Sequence, residues 1–409
     1  MNGNEPKTSP RRRVAVVGAG PGGISTAIAL HQAGHEVRLF ERSPQVTPLG
    51  GAVLLSLPVL AILRHYGVDI DKMGAMAVTE FRDWKGRLRV RLPFNKRAEE
   101  KAGLPGWHYG LLRAEAIARM LKVLPPELLY PSHRCTGFDE SDTSVRVKFE
   151  NGQSWEADML VGADGIRSAV SQQVFGDPKL FHCGINVWLA WCHAEGIPRD
   201  VGYISHSPRV QASYFPILHQ GKPAFEWWVV EPWTEGQVFS GDMKQHIGRL
   251  IEGWVDPIPK LFVATDFERN AFRWEVYNRQ PLPSWSRGRV SFVGDAVHPV
   301  SPYAAYGMGM AIEDGYWLAR SLAGIDLADR QQLAQGLARY DAQRVSYTNK
   351  QAVMARKLGN IFHRTPWPLS ALRDAVFNHT PFLEHVLVND YLKDAEAQMV
   401  ALDFETAIT

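Results

Sequence analysis

Three short stretches carry residue types at spacings suited to holding a dinucleotide. The first is Gly18-Ala19-Gly20-Pro21-Gly22-Gly23, with Glu41 lying 18 positions beyond Gly23. Gly18 permits a tight turn, Gly20 lets backbone approach a pyrophosphate, and Gly23 lets a helix pack on a strand. A helix opening there turns free N–H groups and the positive end of its dipole toward phosphate. Glu41 stands where a carboxylate accepts hydrogen bonds from a ribose diol. The second stretch is Gly162-Ala163-Asp164-Gly165, and the third is Gly294-Asp295-Ala296-Val297-His298-Pro299. A glycine triplet alone is a weak signal, whose plain alternative is a turn in an ordinary α/β domain.

The elements around these residues strengthen the dinucleotide reading. Val14-Ala15-Val16-Val17 is an apolar, mostly β-branched run, as a buried parallel strand requires. Ile24 to Ala33 suits a helix, Gly34 a helix stop, and Val37 to Phe40 the next strand. Apolar strands also run into Gly162 and Gly294, and Gly307-Met308-Gly309 opens a helix to about Leu322. Glu313 and Asp314 lie early in that helix, where acids complement the dipole. Gly50 and Gly51 suggest backbone passing close to something flat or bulky, or a simple turn. Pro58 to Tyr66 reads as a helix with proline near its start. Arg113 heads a helix to Val123, placed for a phosphate or a flavin edge, or for a surface ion pair with Glu115.

From Thr79 the texture changes to alternating apolar and charged residues around Lys85-Gly86, a hairpin pattern. A second hairpin joins Val145–Phe149 to Ser154–Ala157 through Asn151-Gly152. Residues 180–285 hold short β-like runs rich in aromatics, among them Trp188, Tyr203, Tyr214, Trp227 and Trp228. Such a sheet builds an apolar pocket for a flat organic molecule, although each ring taken singly is as well explained by the core.

Composition excludes several classes. The 409 residues suit two domains, and a net charge of +2 gives no argument for nucleic acid. Three scattered cysteines, Cys135, Cys183 and Cys192, make neither a disulfide framework nor a metal site, as expected of a reducing compartment. No apolar run approaches the roughly 20 residues of a membrane span. The polar start MNGNEPKTSP reads as a loose tail without a signal peptide's apolar core, so a cytoplasmic location is expected.

The order GAGPGG, GADG, GDAVHP resembles the FAD-dependent aromatic hydroxylases, single-component flavoprotein monooxygenases of the p-hydroxybenzoate hydroxylase fold. Within them the chain is most similar to the salicylate, 6-hydroxynicotinate and urate hydroxylase-like branch, over residues 12–345. VAVVGAGPGG with Phe40-Glu41-Arg42 matches the motif for the ADP half of FAD. LVGADGIRS matches the motif holding Asp164, and RGRVSFVGDAVHP the one whose Asp295 hydrogen-bonds the flavin ribitol. The resemblance further implies that Gly22, Gly51 and Arg113 contact FAD, and that Pro302, Gly307 and Met308 lie along the isoalloxazine. Tyr306 stands where the family usually has glutamine, which places a phenol beside the flavin and the substrate pocket.

The implied architecture is an α/β fold. A Rossmann-like FAD-binding domain (residues 12–78, 111–178 and 285–345) interleaves with a mixed β-sheet substrate domain (79–110 and 179–284), and helices follow (346–409). The implied reaction uses NADPH or NADH and O2, through a flavin C4a-hydroperoxide, to place one oxygen on an aromatic or other electron-rich small molecule. Alternatives are epoxidation, ring expansion or rearrangement of a natural product, and a non-redox FAD-binding isomerase or cyclase. Tyr214 and Arg209 are the candidate groups for deprotonating a phenolic substrate, with His206 behind them; Trp228 and Tyr203 are candidate pocket walls. His298 is expected to serve structure beside Asp295. A monomer or homodimer is expected.

Overall fold

The computed structural model describes residues 12–47, 51–94, 96–304 and 306–404. The N-terminal tail and Gly50 lie outside the described residues. In chain order the elements begin β1 (Arg13–Val17), α1 (Pro21–Gln32), β2 (Glu36–Phe40), β3 (Ala52–Ser56), α2 (Leu57–His65), β4 (Ala75–Asp83) and β5 (Leu88–Arg91). Next come α3 (Lys96–Ala102), β6 (His108–Leu112), α4 (Arg113–Val123), β7 (Leu129–Tyr130), β8 (Cys135–Glu140), β9 (Val145–Phe149) and β10 (Ser154–Ala157). They continue with β11 (Met159–Gly162), α5 (Ala169–Phe175), β12 (Phe181–Cys192), β13 (Val201–His206), β14 (Gln211–His219) and β15 (Lys222–Pro232). The chain then forms α6 (Met243–Leu250), α7 (Ile258–Ala264), β16 (Ala271–Asn278), β17 (Val290–Phe292) and α8 (Gly307–Leu322). The last helices are α9 (Arg330–His363), α10 (Leu369–His379), α11 (Phe382–Glu384) and α12 (Leu392–Ala401).

A parallel sheet in the order β17-β11-β1-β2-β7 forms the nucleotide-binding half. Its central strands are buried on both faces, which explains the continuous apolar runs. Helices α1 and α8 pack against each other beside it. The C-terminal ends of β1, β11 and β17 are neighbours, so the three glycine-rich stretches meet along one edge. Such an edge is where open α/β sheets bind ligands.

The larger sheet runs β16-β12-β15-β14-β13-β4-β6-β3, with β5 paired to β4. Its members include β3 and the start of β4, so the chain enters this sheet before residue 79. Two short excursions, β3 and β4–β6, thus precede the main block β12–β16. Both hairpins form as read, β4–β5 with Gly86 at φ +87° and β9–β10 with Gly152 at φ +81°. One face of the large sheet is sealed by α6 and α7, in a core that includes Trp188, Tyr214, Trp227, Ile247 and Leu261. The opposite face looks toward the nucleotide-binding half and α9. No helix among the described residues is long and apolar enough to cross a membrane.

Candidate cofactor groove and substrate cavity

The groove begins at the turn after β1. Gly18 sits at φ +106°, and a Cβ there would stand 2.3 Å from the carbonyl oxygen of Ala163. A Cβ on Gly23 would stand 1.8 Å from the carbonyl oxygen of Gly18, and one on Gly22 3.2 Å from that of Ala311. Helix α1 opens without a side-chain cap, leaving its first amides for a ligand. A Cβ on Gly20 would meet nothing within 4 Å, so open space lies in front of these amides. The Glu41 carboxylate accepts from the Ala19 amide at 2.9 Å and from the Ser43 amide at 2.9 Å, which fixes it beside the turn. Arg42 follows it, exposed.

The other end of the groove is set by α4. The Arg113 amide donates to the Gly51 carbonyl at 3.1 Å, joining the helix start to the residue that leads into β3. Arg113 Nε is buried with no protein partner, and its guanidinium lies within electrostatic reach of the exposed Asp295. Free amides and an orphan guanidinium N–H suit a pyrophosphate, and Glu41 and Asp295 suit hydroxyls on either side of it. The residues present therefore fit a dinucleotide. Asp164 behaves differently: its carboxylate accepts from Ser168 Oγ and, at 2.8 Å, from the Ala169 amide. It braces the first turn of α5, beside the Gly18 turn.

A cavity of about 280 Å³ adjoins the groove, walled by Ser301, Pro302, Tyr306, Gly307 and Met308. Its floor is one face of the large sheet, from Val187 and Leu189 through Glu226, Trp228 and Gln211 to His206, Thr79 and His108. Its roof comes from Met354, Leu358 and Phe362 of α9, with Leu383 and Leu387 beyond. Hydrophobic side chains dominate. Burial pushes His108 down to about 4 and His206 well below its ordinary value, so both imidazoles are neutral near pH 7.

Glu226 is the one acidic residue among the described lining residues. Its Oε1 accepts from the Ala52 amide at 3.1 Å. Burial in apolar surroundings pushes its carboxyl from 4.5 up to about 8, only partly offset by that amide. Below the unfolded value the group is neutral in both states and costs the fold nothing. As pH rises, the unfolded chain ionises first and stability falls, until the folded group ionises near pH 8. Glu226→Gln is therefore expected to gain stability over the native protein between pH 5 and 8, by at most about 1.4 kcal/mol per pH unit. Urea unfolding of both proteins across that range checks it. A difference that stays flat with pH rejects the neutral carboxyl.

Behind Tyr306 runs a buried polar chain. Ser56 Oγ lies 2.9 Å from the Tyr306 hydroxyl, which donates in turn to Glu313. Arg344 pairs with Glu313 at 3.0 Å and with Asp314 at 2.8 Å, and His298 Nε2 also pairs with Asp314. Burial pushes Asp314 up, but His298 and Arg344 outweigh it and hold the carboxyl below its ordinary value. The acids of α8, expected from their position to complement the helix dipole, thus form a buried ion cluster. His298 has a structural setting, as expected, but its partner is Asp314 and not Asp295.

Of the candidate substrate-handling residues, Trp228, Tyr306 and His206 line the cavity. Tyr214 and Tyr203 do not. Gln211 faces the cavity, and side chains alternate along β14, so Tyr214 turns to the opposite face with Phe225 and Trp227. Tyr203 meets it there edge to face at 5.0 Å, under the Arg82 guanidinium. Arg209 is exposed on the turn between β13 and β14, where its carbonyl contacts His363 Nδ1. Neither Tyr214 nor Arg209 reaches the cavity; of the groups expected to take a substrate proton, His206 alone lines it. Glu226, His108, Gln211 and the C-terminal helices do, and were not singled out; an acid inside the apolar run Phe225–Val230 was the available signal for the first. The C-terminal helical segment, expected only as helices over 346–409, supplies the roof through Met354, Leu358, Phe362, Leu383 and Leu387.

The family model described as "FAD binding domain" matches residues 11–176 and 259–355. The chain belongs to that FAD-binding family. Its cofactor is FAD, and the matched segments contain all three glycine-rich strand ends. Strands β12–β15, most of the cavity floor, lie between the segments. Among similar family proteins is the 3-amino-4-hydroxybenzoate 2-monooxygenase PtmB3 of Streptomyces platensis, 29% identical, with 89% of this chain and 92% of that protein covered. Another is the aurachin C monooxygenase/isomerase of Stigmatella aurantiaca, 29% identical over 85% of this chain and 89% of its own length. The crystal structure of Klebsiella pneumoniae HpxO complexed with FAD and uric acid superposes with a TM-score of 0.81 at 25% identity, covering 94% of this chain and 97% of that one.

Proposed function

We propose that the protein is an FAD-dependent monooxygenase that uses NADH or NADPH and O2 to place one oxygen atom on an electron-rich aromatic molecule. The observation carrying this reading is the shared wall: Pro302, Gly307 and Met308 bound an apolar cavity at the groove in which the family holds FAD. FAD, when bound, supplies the electron transfer from nicotinamide and the activation of O2. The chain supplies the setting. Helix α8 opens at Gly307 without a side-chain cap, so its positive dipole end favours negative charge at that wall. The apolar floor and roof keep water from the reacting atoms. Tyr306, held by Ser56 and Glu313, presents a fixed phenol where the cavity meets the groove. The monooxygenases among the relatives point the same way.

The test is nicotinamide oxidation by flavin-loaded protein against phenols, hydroxypyridines, purines, indoles and quinolones. The expected result is oxidation stimulated by one class, with matching O2 uptake and a product heavier by one oxygen. Bound flavin with no stimulated oxidation across the panel overturns the reading. Conversion of a substrate without nicotinamide or O2 would instead establish the isomerase alternative.

A further inference from the structure

We propose, resting on the monooxygenase reading, that the cavity selects an uncharged, elongated heteroaromatic of two or more rings. It offers a hydrogen-bond acceptor to Glu226 and a donor to Gln211 and His206, and aromatic carboxylates are rejected.

The charge argument comes first. No arginine or lysine stands among the described lining residues, so a bound carboxylate would be a buried anion without a countercharge. The cations acting on His206 are Arg89 and Arg373; neither lines the cavity, although Arg89 keeps one buried Nη1 without a partner. Arg89 donates to Asn378 and Asp374, while Arg373 donates to Asp374 and to the carbonyls of Ile361 and Phe362.

The polar atoms left over define what fits. Gln211 is 4% exposed; its Nε2 donates to Ser213 Oγ at 3.0 Å, while its Oε1 is buried and has no protein partner. His206, 2% exposed, has its imidazole within hydrogen-bond reach of the Gln211 side chain, so a ligand donor placed here competes with that contact. Both side chains line the cavity, and they stand opposite each other in the β13–β14 ladder. A buried amide oxygen calls for a ring N–H or hydroxyl. Glu226 has only Oε1 engaged; its neutral carboxyl leaves Oε2 to donate to a carbonyl or ring nitrogen.

Spacing sets the length. Glu226 stands opposite Phe215, and Gln211 lies four residues further along β14. At about 3.3 Å per residue the two poles are roughly 13 Å apart at the backbone, too far for a single ring between their side chains. Flat surfaces line the interval: Trp228 on the floor, and Phe362 stacked on His206 with ring centroids 3.6 Å apart.

The test uses FAD-loaded protein without nicotinamide, reading ligand affinity from perturbation of the flavin absorbance. The probes are 4-hydroxyquinoline and acridone against 4-hydroxybenzoate and quinoline-4-carboxylate. The neutral pair is expected to bind at least about tenfold more tightly than the carboxylates. Glu226→Ala and Gln211→Ala should each weaken the neutral ligands about tenfold, while Glu226→Gln, which keeps a donor, should stay within about threefold of native affinity. Carboxylates binding as tightly as the neutral rings, or neutral binding unchanged in both alanine variants, overturns the proposal. The native ligand ranking decides it even if a variant fails to fold. Expected binding without hydroxylation would fault the monooxygenase reading alone, and tight binding and turnover of a carboxylate would fault the substrate class alone.

Discussion

Replacing Arg344 with alanine is expected to cost about 3–5 kcal/mol of unfolding free energy. The guanidinium is fully buried, donating to Asp314, to Glu313 and, at 3.2 Å, to the Met310 carbonyl. Two carboxylates were taken out of water to meet it. Without it, Glu313 keeps only the Tyr306 hydroxyl, and Asp314 keeps His298 and the Gly294 amide. The penalty is therefore the stranding of charges and exceeds the net worth of the pairs themselves. Because the cluster joins α8, α9 and the turn after β17, the loss should be global. Urea unfolding followed by circular dichroism measures it. A change below about 1 kcal/mol, the scale of an exposed ion pair, would show that the carboxylates are not stranded.

The second large effect is expected at Gly18. Alanine there must adopt φ +106° and place its Cβ 2.3 Å from the Ala163 carbonyl oxygen and 2.9 Å from Asp164 Cα. The left-handed conformation alone costs about 1–2 kcal/mol, and relieving the contact forces β1 and β11 ends apart. FAD affinity should fall by at least about a hundredfold, since about 2.7 kcal/mol suffices for that. Gly20→Ala is the informative companion. Its Cβ meets only open space in the protein, so it should lose flavin without losing stability. Flavin absorbance of the purified variants, read beside their melting temperatures, distinguishes the two. Native flavin content in Gly18→Ala would remove the turn from the cofactor site.

How far the sequence could be read follows from the physics of each element. The cofactor edge was legible because its constraints are local. Gly18, Gly23 and Glu41 act within one strand–turn–helix–strand unit, and the apolar runs beside them admit little else. The cavity was legible only as a place. Residues 180–285 were rightly read as an aromatic-rich sheet, but a period of two tells which side chains share a face, not which face is the inside. Both faces of β14 are buried, one under α6 and α7 and the other in the cavity, so alternation alone does not tell that Gln211 and not Tyr214 faces the cavity. Glu313 and Asp314 were read as serving a helix dipole because their partner, Arg344, lies 30 residues away on another helix. The roof was missed for a similar reason: Met354, Leu358 and Phe362 are ordinary helix-face residues until the sheet opposite is known.

The parallel sheet has a consequence for how the chain is made. Strand β11 pairs with β1 on one side and with β17 on the other. About 130 residues separate the end of β11 from the end of β17, and they are spent on the large sheet. At a synthesis rate of about 5–20 residues per second, the β11 edge stays bare for roughly 6–26 s after it emerges. A bare apolar strand edge is a template for pairing with other chains. The nascent protein thus passes through an interval in which its most apolar strands lack their final neighbour while the sheet that will hold substrate is still being built. The FAD site is completed only when that interval ends.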